Sequence, residues 1–254
     1  MDRLVLIIAI LPTILLWLYI NKLDKHKEPK KFLLKLFFGG ILSLILTLVI
    51  SLLLSLIYTD FFTYKTTFDL TGFLYCFLGI GLVEETSKFI MLYLMSWKNK
   101  NFDETYDIVL YAMIVALGFA TTENILYSLQ NGLLTAILRF FTAVPCHVVN
   151  GAFMGYFLCL YRLNSEDKKN LFLAIFVPSL LHGIYDFLGF TTKTTYDLIY
   201  LGIFIIVVFV IAARLIRKMA KNSKSLPLFT INCENCGNPI DTRYCPHCGK
   251  ERRK

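Results

Sequence analysis

The chain has 254 residues, 56% of them hydrophobic, and a formal net charge of +8. Soluble domains carry about 45–50% apolar residues, and here the excess sits in long unbroken runs, which excludes an ordinary soluble domain and points to membrane spans. The lysines and arginines gather in short segments between those runs, with no basic helix or base-stacking module, so the charge speaks for membrane orientation and against a nucleic-acid partner.

About seven apolar runs are long enough to cross a bilayer, at roughly 4–20, 32–58, 73–97, 107–129, 139–161, 171–190 and 196–213. Backbone groups in hydrocarbon must be satisfied within their own segment, so each run is predicted to be a helix. The fold class is therefore all-α, a polytopic transmembrane helix bundle, with a small zinc ribbon behind it. The first run follows Asp2 and Arg3 and lacks a small-residue cleavage site, so it reads as a retained span. The bundle is expected over about 1–218, a polar linker containing Pro227 over about 219–230, and the ribbon over about 231–254.

The connecting segments alternate in charge. One side collects Lys22, Lys25, Lys27, Lys30, Lys31 and Lys35, then Lys98 and Lys100, then Arg162, Lys168 and Lys169, then Arg214, Arg217, Lys218, Lys221 and Lys224. The other side has only Arg3, Lys65, Arg139 and Lys193. The positive-inside rule places the N-terminus outside the cell membrane and the C-terminus in the cytoplasm.

Ionisable groups interrupt four of the runs. The third reads FLYCFLGIGLVEETSKFIMLYLM, with Glu84, Glu85 and Lys88 near its middle. A charge at that depth costs at least about 2.5–3.5 kcal/mol. Glu84 and Lys88 share a helix face and can pair, whereas Glu85 points about 100° away toward another neighbour. The fourth run ends in GFATTENILYSL, which holds Glu123 and Asn124. The fifth contains AVPCHVVNGAFMGY, where Pro145 disturbs the helix before His147 and Asn150, and Gly151 and Gly155 form a close-packing GxxxG. In the sixth, LFLAIFVPSLLHGIYDFLGF, His182 and Asp186 share a face, so the carboxylate can hold one imidazole nitrogen and aim the other.

Each pair alone reads most simply as a brace between helices. Depth argues otherwise. Counted from the outer end of each run at about 1.5 Å per residue, Glu123, His147 and His182 fall about 9–12 Å in, Glu84 and Glu85 about 16–18 Å, and Asp186 about 6 Å. Unrelated braces have no reason to share one band; a single polar cavity requires it.

Four motifs in order, EETSK at Glu84–Lys88, FATTEN at Phe119–Asn124, His147 with Gly151, and HGIYDF at His182–Phe187, resemble the PrsW family of intramembrane proteases. A more distant likeness is to the CAAX-prenyl-protease and bacteriocin-processing group. The PrsW resemblance implies an intramembrane endopeptidase making the first cut in a membrane-spanning anti-sigma factor from the extracytoplasmic side. It implies a catalytic core of Glu84, Glu85 and His182, with Glu123 and His147 at the same site.

The residue types permit two chemistries. A carboxylate of Glu84 or Glu85 can activate water, with Lys88 holding its neighbour and a histidine stabilising the oxyanion or protonating the leaving amine. Alternatively a catalytic zinc sits on His147, His182 and a carboxylate. The lack of an HExxH spacing and the two adjacent glutamates tilt toward the metal-free form.

The tail reads CENCGNPIDTRYCPHCGK, with Cys233, Cys236, Cys245 and Cys248 in two CxxC pairs, each followed by glycine. This is a structural zinc ribbon, non-catalytic because its four thiolates close the site, and too short to fold without metal. His247, inside the second pair, is not expected to be a ligand. The ribbon offers a docking place for a cytoplasmic protein partner, and the basic end, Lys250 and Arg252–Lys254, can touch anionic lipid. Partners are thus membrane lipid, a membrane-spanning protein substrate and a ribbon-binding protein.

Two rival functions fit some of these features. A proton- or ion-coupled transporter also needs polar groups at one depth, but the chain shows no inverted repeat or matched pair of broken helices; flux in proteoliposomes separates it from a protease. A non-catalytic scaffold acting through the ribbon leaves the four-helix cluster unexplained, and biological rescue by a Glu84→Gln, Glu85→Gln chain would reveal it.

Overall fold

Among the described residues six helices are long and apolar enough to cross a membrane, with Leu133–Leu163 counted as one. The structure, a computed structural model, describes residues 2–57, 68–226, 231–233, 235–240 and 244–250. Lys65, Pro227 and Arg252–Lys254, which belong to the charge pattern, the linker and the basic end, lie outside the described residues. In chain order the helices are α1 (Asp2–Leu23), α2 (Lys30–Ile57), α3 (Leu70–Leu74), α4 (Leu82–Ser96), α5 (Asp107–Asn131), α6 (Leu133–Phe141), α7 (Ala143–Leu163), α8 (Lys168–Thr191) and α9 (Thr195–Lys221). A two-stranded antiparallel ribbon follows, β1 (Ile231–Asn232) and β2 (Pro239–Ile240), with Ile231 opposite Ile240.

The expected third span is a continuous helical stretch in three parts. A π-helical segment, Tyr75–Gly81, joins α3 to α4, and the Leu82 N–H bonds the Phe77 carbonyl five residues back. Together with the six long helices it makes the expected bundle of about seven spans. The fifth span differs from expectation. The chain breaks at Thr142 (φ −116°, ψ −74°), so Arg139 belongs to the separate short helix α6. Pro145 then falls in the first turn of α7, where a missing N–H costs no helical bond. It marks the start of a helix, not a disturbance within one.

Helix α5 is the axis of the bundle. From Asp107 to Thr121 every residue is buried, against α1, α2, α4 and α7. Two close approaches set the geometry of the site. A Cβ at Gly151 would meet the Ala112 carbonyl at 2.7 Å, and one at Gly155 would meet the Ile108 carbonyl at 2.7 Å, so the GxxxG lets α7 lie directly on α5. A Cβ at Gly183 would sit 2.5 Å from Phe77 Cα, and one at Gly81 would sit 2.6 Å from the Ser179 carbonyl, so α8 rests on the backbone of the π segment. This second contact carries His182 beside Glu84 and Glu85.

The outward faces are apolar, as lipid contact requires. Leu4, Ile7, Ile14 and Leu18 of α1, Leu42, Ile45, Leu48 and Leu52 of α2, and Ile203 and Ile206 of α9 are all exposed. The segments rich in lysine and arginine meet at one end. There Lys25 donates to the Lys221 carbonyl at 2.8 Å and Glu104 bridges to Ser225. Helix α9 runs to Lys221, a little past the expected start of the linker.

Substituting Gly155→Leu forces a side chain into the Val109 backbone. Overpacking of this kind costs about 1–3 kcal/mol or more. The expected outcome is a lowered thermal midpoint for the detergent-solubilised protein, while Gly202→Leu, whose Cβ meets nothing within 4 Å, leaves it within error.

Candidate active site

Lys88 is the hub. Its ammonium is 1% exposed and donates to Glu85 Oε1 at 2.8 Å, to Glu84 Oε2 at 3.3 Å and to His147 Nδ1 at 3.0 Å. It also lies 3.9 Å from the centre of the Phe119 ring, a cation–π contact. All three N–H donors are thereby used. Two of the contacts come from the same helix, because Glu84 and Glu85 precede Lys88 by four and three residues.

Two histidines close the network. His182 Nδ1 lies 2.9 Å from Glu85 Oε1, and its Nε2 lies 3.7 Å from Glu84 Oε2 and 3.4 Å from Asp186 Oδ2. Nδ1 thus faces Glu85 alone, while Nε2 faces two carboxylates. His147 accepts from Lys88 at Nδ1 and donates to Glu123 Oε2 from Nε2 at 2.9 Å. The two imidazole rings stand nearly perpendicular, 5.1 Å apart. The structure thus brings all seven residues expected at the site, Glu84, Glu85, Lys88, Glu123, His147, His182 and Asp186, into one connected set from α4, α5, α7 and α8.

The set borders a cavity of about 670 Å³. Glu84, Glu123, His147, Asn150, His182 and Asp186 reach its wall, and α9 contributes Leu198, Leu201 and Ile205. Most of the lining is apolar with a few convergent polar groups, the usual character of a binding cavity. Glu85 is not in the wall. It is 0% exposed, held by Lys88 and His182, and its Oε2 has no hydrogen-bond partner among the described residues. The two adjacent glutamates therefore differ in kind: Glu84 faces the cavity and Glu85 stands behind it.

Arg139 is the group the sequence concealed. It counted only as a cation at the outer end of a span, yet its Nη2 donates to Glu123 Oε2 at 2.5 Å and its Nε to Asn124 Oδ1 at 3.2 Å. It lies over the Tyr127 ring and reaches the cavity wall. The signal was present in LLTAILRFF, an apolar stretch with one cation close in sequence to an intramembrane glutamate. Asn124, beside Glu123, has a bracing role: its amide donates to the Ala9 carbonyl at 2.8 Å and ties α1 to α5.

Three of the cavity residues have the makings of a metal site. One carboxylate oxygen of Glu84 and one ring nitrogen each of His147 and His182 lie within 4.8 Å of one another. In the tail, Cys233, Cys236, Cys245 and Cys248 meet the same criterion, with sulfurs 3.5–3.6 Å apart across the two pairs. Gly237 (φ +71°) and Gly249 (φ +70°) each turn the chain so that their N–H groups bond the carbonyls of Cys233 and Cys245 at 2.8 Å, the backbone loop of a metal knuckle.

A family model described as PrsW family intramembrane metalloprotease matches residues 28–213 and stops before the cysteine tail. The Protease PrsW of Oceanobacillus iheyensis is 34% identical over 218 residues, which is 85% of this chain and 95% of that protein. The Protease PrsW of Bacillus subtilis is 34% identical over 71% of this chain and 80% of its own length. That of Clostridioides difficile is 31% identical over 87% and 93%. No solved structure matches.

Removing the hub cation leaves two buried carboxylates sharing one imidazole, His182. Breaking a buried pair from one side costs about 3–5 kcal/mol. Lys88→Met is expected to lose that much in an unfolding titration in detergent, and adding Glu84→Gln and Glu85→Gln to it is expected to restore a large part of the loss.

Proposed function

Because this chain belongs to the PrsW family of intramembrane proteases, we propose that it cuts a membrane-spanning, anti-sigma-factor-like protein at the centre bordered by Glu84, His147 and His182. The observation that carries this reading is the convergence of those three side chains, from three helices, on one cavity within the bundle. The orientation read from the basic segments puts the cut in the outer half of the membrane, with the cysteine tail in the cytoplasm.

Two histidines and a carboxylate are a donor set of catalytic zinc sites, so the residues fit a metal ion. Such an ion, when bound, would acidify a water and polarise the scissile carbonyl. His182 is prepared for ligation, since Glu85 holds its Nδ1 and leaves Nε2 toward the cavity. His147 spends both ring nitrogens on Lys88 and Glu123, so ligation there would exchange one of those hydrogen bonds. The donor geometry and the family description move the choice toward the metal-dependent chemistry.

The remaining groups divide the proton work. Glu84 is taken up by Lys88, and Glu123 by Arg139 and His147. Asp186 reaches the cavity and, among the described residues, has no lysine or arginine partner. It is the carboxylate placed to take a proton from the attacking water. As the water oxygen bonds the carbonyl carbon and the C–N bond breaks, that proton passes to the leaving amine. Asn150 and Arg139, in the same wall, supply donors for the developing oxyanion. Glu85 and Lys88 are positioning residues. The four tail cysteines would hold a zinc ion of structural character, and the ribbon would serve as a cytoplasmic docking module.

Co-expression with a tagged membrane-spanning anti-sigma factor, read by immunoblot, tests the site: Glu84→Gln and His182→Ala are expected to abolish the cleaved fragment, and undiminished cutting overturns the assignment. A chelator tests the metal. In purified Cys245→Ser, Cys248→Ser protein, whose ribbon no longer binds zinc, cleavage is expected to persist, to stop on chelation and to return with added Zn²⁺. Cleavage indifferent to chelation would return the mechanism to the carboxylates alone.

A further inference from the structure

A second cluster of acidic groups lies at the opposite end of α5, 16 residues before Glu123, or about 24 Å along the helix. Glu28 from the α1–α2 connection, and Asp103 and Asp107 from the approach to α5, each offer a carboxylate oxygen within 4.8 Å of the others. Neither the protease reading nor the ribbon uses them.

Three features separate this cluster from an ordinary acidic surface. Glu28 is only 9% exposed, and its Oε2 is buried with no hydrogen-bond partner among the described residues. Tyr106 is 1% exposed, and its hydroxyl is likewise without a partner. No lysine or arginine among the described residues forms an ion pair with Glu28, Asp103 or Asp107. The nearby charges add to the imbalance. Asp24 accepts the N–H groups of His26 and Glu28. Glu104 is met by His26, whose side chain is exposed, and the Lys27 ammonium donates to the carbonyls of Asn21 and Asp24. Burial pushes the pKa of Glu28 up to about 7, opposed by the neighbouring Tyr111 hydroxyl and aided by the carboxylates of Asp103, Asp24 and Glu104.

The carboxylates are also held in place. Asp107 Oδ2 accepts the Glu104 N–H at 2.7 Å and the Asp103 N–H at 3.0 Å, which folds the loop over the start of α5. Asp103 is exposed and gives the cluster an opening to solvent. Hard, oxygen-rich sites with several carboxylates bind Ca²⁺, Mg²⁺ or Mn²⁺ in preference to softer metals.

We propose that Glu28, Asp103 and Asp107 form a binding site for a hard divalent cation at the basic end of the bundle, separate from the protease centre. The same loop clasps the segment that leads toward the ribbon. The Asp103 carbonyl accepts the Leu226 N–H at 2.6 Å, Thr105 donates to the Lys224 carbonyl at 2.9 Å, and the Ser223 hydroxyl donates to Glu104 at 2.9 Å. A cation here fastens the α1–α2 connection to the loop that holds Ser223–Leu226.

Terbium luminescence, sensitised by the neighbouring tyrosines Tyr106 and Tyr111, reads the site directly. The probe is Tb³⁺ with the full-length, zinc-loaded Glu84→Gln chain in non-ionic detergent, so that the cavity triad does not compete. The expected result is saturable binding, displaced by Ca²⁺, Mg²⁺ or Mn²⁺ below about 1 mM. Glu28→Gln and Asp107→Asn are each expected to weaken it at least tenfold. Should either buried variant fail to fold, the exposed Asp103→Asn decides, with the same tenfold loss expected. Absence of a saturable signal, failure of the divalent ions to displace Tb³⁺, or unchanged binding in the folded carboxamide variants overturns the proposal.

Discussion

A lysine ammonium inside hydrocarbon has to be answered by the protein around it, and the answer organises this molecule. Lys88 collects Glu84, Glu85 and His147, and through them His182, Glu123, Arg139 and Asp186 are drawn into one set. Lys88 and Glu85 are shut off even from the cavity, so the protein alone answers their charges. The mutual geometry of the set is therefore fixed by the packing of α4, α5, α7 and α8, and the fold and the reactive centre are one problem. The close helix approaches at Gly151, Gly155, Gly81 and Gly183 are what allow it a solution.

Much of this was legible in the residues. Hydrophobic runs placed most of the spans to within a few residues, because lipid tolerates so few alternatives to a helix, while the fifth begins earlier than its run and α9 continues well past the last one. The charges that interrupt those runs pointed at each other because nothing else at that depth could stabilise them. Counting along three helices puts Glu123, His147 and His182 in one band, and the structure brings them to one cavity wall.

What stayed hidden depends on rotation and on breaks rather than depth. Counting residues does not tell which of two adjacent glutamates faces the cavity; that follows from the π segment ahead of them and from Gly183 seating α8 against Phe77. Arg139 looked like an interfacial cation because α6 and α7 read as one apolar stretch, and the turn at Thr142 that separates them has neither glycine nor proline at the break itself. Asn124 stood beside Glu123 in a suggestive motif, yet the two point to different tasks, one bracing α1 and the other meeting His147. The acidic cluster around Glu28 is assembled from two connections far apart in sequence, which no spacing rule links.

The π segment also makes the phase of a helix a quantity that the chain must keep. Its wide turn accommodates one residue beyond what an α-helical turn would take. A further residue inserted between Tyr75 and Gly81 would leave every acid, base and imidazole in the protein chemically intact, yet, with the wide turn already filled, would swing Glu84 and Glu85 about 100° around the helix axis. The stretch is thus limited twice over: by contact at Gly81, where no side chain fits against α8, and by rotation, which leaves no room for added length.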